Sequence, residues 1–112
     1  MVFTGTKHPK FYMSHQPATS TGLLTATTQV STRPGIFTGL QVNAGSGTTT
    51  IIIYDSNIAA SDVTKILDKH VVSANTNTDR DWYGAHGIVY NRGLYVTLDG
   101  SGAECLLYYI MG

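Results

Sequence analysis

The sequence predicts an all-β fold, a jelly-roll-like β-sandwich preceded by an extended N-terminal arm. Three observations lead there. Charged residues are only 12% of the chain while Gly and Tyr number 12 and 7, a balance that favours strands and tight turns over helices. From Leu23 onward, short β-branched and apolar runs alternate with Gly-containing turns, the spacing of a sandwich. The residues before that show neither helical nor strand periodicity and include Pro9 and Pro17, which cannot donate to a ladder. At 112 residues the chain has the size of one domain, divided as an arm over 1–21 and a sandwich over 22–112.

The arm carries Phe3, Phe11, Tyr12 and Met13, with Lys7 and Lys10 among them. Each apolar side chain gains about 1.5–3 kcal/mol on full burial, so these six are expected to contact a partner or to fold back on their own domain. Thr25 to Thr32 reads as a strand ended by Arg33-Pro34-Gly35, a turn in which Pro fixes one dihedral and Gly permits the other. Next, Ile36, Leu40 and Val42 share one face by alternation, and Phe37, Gly39 and Gln41 the other. Asn43 to Gly47 closes this strand and TTTIIIYD follows at hairpin distance, which predicts an antiparallel pair.

Ser61 to Val72 fits a helical stripe with Ser61 as N-cap, yet ends in β-branched residues; a short helical turn running into a strand satisfies both signals. Asn75 to Asp81 is polar and predicts an exposed loop leading to Trp82 and Tyr83. Strands at Gly87 to Tyr90, Leu94 to Asp99 and Ala103 to Met111, separated by Gly-containing turns, read as two successive hairpins. In the last of them Cys105, Leu107, Tyr109 and Met111 form one face and Leu106, Tyr108 and Ile110 the other. Both are apolar, whereas a sandwich strand normally has one wet face. Leu106, Tyr108 and Ile110 are therefore expected to meet another protein, most simply a further subunit.

Charge is split along the chain. Residues 1–54 hold three bases and no acid, the remainder four bases against seven acids, a polarity suited to docking on a neighbour and far from the basic stripe of a nucleic-acid binder. No run of apolar residues reaches the length of a membrane span, and no signal-peptide pattern opens the chain, so function without secretion through a signal peptide is expected. Cys105 is the single cysteine and reads as a buried thiol. The four histidines, His8, His15, His70 and His86, have no metal-site spacing, and neither glycine-rich turn has the context of a phosphate loop or a nucleophile elbow. No catalytic group, metal or other cofactor is assigned. Trp82, Tyr83 and Tyr90 lie beside Asp79-Arg80-Asp81 and are candidates for stacking on a sugar ring or anchoring a receptor; in the plainer reading Trp82 plugs an end of the core.

Gly35 to Asn43, Thr50 to Asp55, Gly93 to Leu98 and Cys105 to Tyr109 together resemble small β-sandwich virion proteins of tailed bacteriophages. The shared pattern is a Gly-bounded strand ending in Asn, a strand ending in Tyr-Asp, a Gly-led strand with a central Val, and a closing strand with Tyr-Tyr. The likeness runs from Gly35 to the end, about two thirds of the chain. It implies a capsid decoration or cement protein, made in the host cytoplasm and placed on the outer capsid surface. Such a subunit, often a trimer, clamps the major capsid protein with an N-terminal arm. The alternative is a tail or fibre-associated adhesion module that binds a host-surface glycan or receptor.

Overall fold

A computed structural model describes residues 17–76, 79–83 and 86–111, with the backbone alone at 79–81. Nine strands lie among these residues: β1 (Thr19–Ser20), β2 (Thr28–Ser31), β3 (Gly35–Asn43), β4 (Thr49–Asp55), β5 (Ile66–Val72), β6 (Asp79–Trp82), β7 (Ile88–Tyr90), β8 (Leu94–Asp99) and β9 (Glu104–Met111). They form two antiparallel sheets. Sheet I has the order β1-β9-β3, with β6 and β7 end to end along the far side of β3; sheet II has the order β2-β8-β4-β5. The sheets pack as the expected sandwich, with Phe37, Leu40, Val42 and Leu107 from sheet I meeting Ile51, Ile53, Leu94 and Val96 from sheet II in one fully buried core.

The strands fall close to where the turn residues place them, but their pairing differs from the expectation. β3 and β4 do not form a hairpin, and neither do β7 and β8 or β8 and β9, because each pair is divided between the two sheets. Their connections are crossovers. Two of these, after β3 and after β8, lie against each other at one end of the sandwich: Ser46 N–H donates to the Ser101 carbonyl at 3.1 Å. Gly45 is needed there, since a Cβ would stand 2.0 Å from the Ser101 oxygen. A glycine that permits close approach between loops looks the same in sequence as one that permits a hairpin turn.

The face assignment within β3 is also corrected. Tyr108 pairs with Gly39 and Tyr109 with Phe37, leaving Thr38 as an extra residue on β3. This bulge reverses the alternation, so Phe37 joins Leu40 and Val42 in the core and Ile36 moves to the outside. Val63–Lys65 forms a single 3-10 turn that runs directly into β5, as the mixed pattern predicts, although its N-cap is Asp62 rather than Ser61: the Asp62 carboxylate accepts from the Thr64 N–H at 3.0 Å. Residues 79–81, expected in a loop, extend sheet I together with Trp82 as an edge strand. Tyr83 N–H continues the ladder to the Thr38 carbonyl, and β7 pairs with the same strand from Ile88, opposite Phe37. Gly87, at φ 52°, permits this approach because any Cβ would sit 2.4 Å from the Phe37 oxygen.

Candidate interaction surface

The outer face of sheet I is built in rows by strand register. Ile110 on β9 pairs with Ile36 on β3, which pairs in turn with Val89 on β7. One row on, Tyr108 pairs with Gly39, and Gly39 with Trp82 on β6. Because Gly39 has no side chain, Trp82 and Tyr108 meet above it, edge to face, with ring centroids 6.0 Å apart and planes at 72°. In the following rows Leu106 pairs with Gln41 and Glu104 with Asn43, so the face passes from apolar at the Ile110 end to polar at the Glu104 end. Leu106, Tyr108 and Ile110 are half-buried by their neighbours, while Trp82 and Val89 are 62% and 58% exposed.

The structure therefore brings together Leu106, Tyr108 and Ile110, as the alternation of β9 predicts, and adds three residues that the sequence did not assign to this face. Ile36 is hidden in the sequence by the bulge. Val89 and Trp82 are recognisable only once β6 and β7 are known to flank β3.

The three aromatic candidates for a ligand site do not act together. Tyr90 is wholly buried, and burial pushes its phenol above its ordinary pKa, so it offers no surface for stacking. Tyr83 turns inward, its ring tilted against Phe37 at 5.7 Å. Only Trp82 faces outward, which also removes it from the role of core plug. The arm candidates Phe3, Lys7, Lys10, Phe11, Tyr12 and Met13 lie outside the described residues. The described chain reaches sheet I at β1, which runs antiparallel to β9 with Thr19 opposite Tyr109; the expected arm boundary at 21 thus falls beyond residues already in the sheet.

A polar cluster stands where the edges of the two sheets approach. Asp68 and His70 pair with Ile53 and Ile51 of the core, which turns both polar side chains toward the interior from edge strand β5. His70 Nε2 lies 2.9 Å from Asp68 Oδ2, and the Tyr83 hydroxyl donates to the same oxygen. Nucleophilic catalysis needs a base between nucleophile and acid. Here the carboxylate occupies the middle and is engaged from both sides, so the cluster is a clamp between the sheets. Inward-facing charge on an edge strand also resists pairing with other chains.

A second carboxylate, Asp55, accepts from the backbone N–H groups of Asn91, Arg92 and Gly93, the first two at 3.0 and 2.8 Å, and holds the turn between β7 and β8. It borders a shallow cleft of about 330 Å³ with Lys65 and Arg92, but its acceptor capacity is spent on the turn. Among the described residues no group of three His, Cys, Asp or Glu side chains could hold a metal ion, and no helix is long and apolar enough to cross a membrane. Cys105 is buried, and that burial pushes its thiol pKa up to about 11, far from the thiolate state that reactivity requires. No family model, curated protein or solved structure matches this chain.

Proposed function

We propose that this chain is a phage virion structural protein, a capsid decoration or cement subunit that stabilises the major capsid protein lattice by non-covalent contacts on the outer capsid surface. The observation that carries the reading is the outer face of sheet I. Five apolar side chains, Trp82, Val89, Ile36, Tyr108 and Ile110, stand in two adjacent rows with no charged residue between them, a surface that a partner covers more often than water does. Supporting it are the resemblance from Gly35 onward and the strand orders β1-β9-β3-β6/β7 and β2-β8-β4-β5, which we read as a jelly roll, an architecture common in capsid proteins. The resemblance favours a trimeric assembly.

The mechanism is mass action. A subunit that binds the assembled lattice and not its dissociated parts lowers the free energy of the assembled state, and the gain is repeated at every site. The test is co-sedimentation of the purified protein with expanded heads and with unexpanded proheads of the encoding phage. Saturable binding to expanded heads, with raised resistance to heat, is expected; no binding to either overturns the reading.

The exposure of Trp82 favours a second reading, a tail or fibre adhesion module that places this ring on a host glycan or receptor. Binding of the isolated protein to a glycan array, abolished in a folded Trp82→Ala variant, would put this reading ahead.

A further inference from the structure

We draw no further inference here: the strongest candidate, an oxyanion site in the cleft that Lys65 and Arg92 line at the start of β5, carries nothing, because the carboxylates of Asp55 in the same lining and of Asp62 beside Lys65 balance both cations and leave the cleft without a charge that would select a ligand.

Discussion

The outer faces of the two sheets are built on the same core and differ in what they show to solvent. On sheet II, Ile52 is flanked by Lys69 and Thr97, and Thr50 by Val71 and Asp99, while Tyr95, Tyr54 and Ile66 pair in a row in which Tyr54 is buried. On sheet I, Val89, Ile36 and Ile110 form an unbroken aliphatic row next to Trp82 and Tyr108. The inner faces of both sheets supply the core, so the two outer faces differ in composition on the same support.

The comparison depends on which residues of each strand face inward, and that can be broken outright at one position. Thr38 is the extra residue that brings Phe37 into the core together with Leu40 and Val42. Inserting one alanine between Leu40 and Gln41 sets Leu40 and Val42 three residues apart with no bulge to absorb the extra residue, and so forces one half of β3 to turn its core residues outward. We expect the insertion variant to lose cooperative unfolding altogether, as read by circular dichroism and heat denaturation.

A gentler probe uses two neighbouring leucines on β9. Leu107 is fully buried and Leu106 half-buried on the outer face. Leu107→Ala should cost about 2–5 kcal/mol in denaturant unfolding, through lost burial and the cavity left behind. Leu106→Ala should cost about 1 kcal/mol or less, in proportion to the smaller area it removes from water. Equal costs would mean that the outer face of sheet I is as much a part of the folding core as the inner one.

The sequence was informative where one strand speaks for itself. The span of β8, the two apolar faces of β9 and the helical turn leading into β5 all follow from period and composition. It was silent where two strands must be compared. Asn43-Ala44-Gly45-Ser46-Gly47 suits a crossover between sheets as well as a hairpin, and Thr38 in a bulge looks like any strand residue. Residues 79–81 read as a loop because Asp79, Arg80 and Asp81 are charged, yet an edge strand with one neighbour tolerates charge. For the same reason the face was only half legible: Leu106, Tyr108 and Ile110 lie on one strand, whereas Ile36, Val89 and Trp82 join them through pairing. Asp68 gave no local sign of its role, since its partner Tyr83 arrives from the other sheet.

The inner face of β9 also predicts a pH dependence. The Cys105 thiol is raised from 9.0 to about 11 by burial. Between those values the unfolded thiol loses its proton while the folded one keeps it, so the unfolded state is favoured as pH rises. The contribution of Cys105 is fully present below pH 9.0 and lost by about 2–3 kcal/mol as pH climbs through about 11. Tyr90, shifted upward by burial as well, acts in the same direction. Denaturant unfolding across this range should show the decline, and a Cys105→Ala variant should show a shallower one.

The smallest expected effect concerns the link between the two sheets. The Tyr83 hydroxyl, entering from the sheet I side, donates to an Asp68 oxygen on edge strand β5 of sheet II, which also faces His70 at 2.9 Å. Tyr83→Phe keeps the ring against Phe37 and removes one charge-assisted hydrogen bond, while His70 still faces the carboxylate. A loss of about 1–2 kcal/mol in unfolding free energy is expected. Hydrogen exchange gives the sharper readout. If the bond fastens the two edges together, amides of β5 should exchange faster in Tyr83→Phe while those of β8 and β9 keep their protection. Uniform acceleration in all three strands would instead make the bond a contributor to the whole core, and the edges of the sandwich would have no separate clamp.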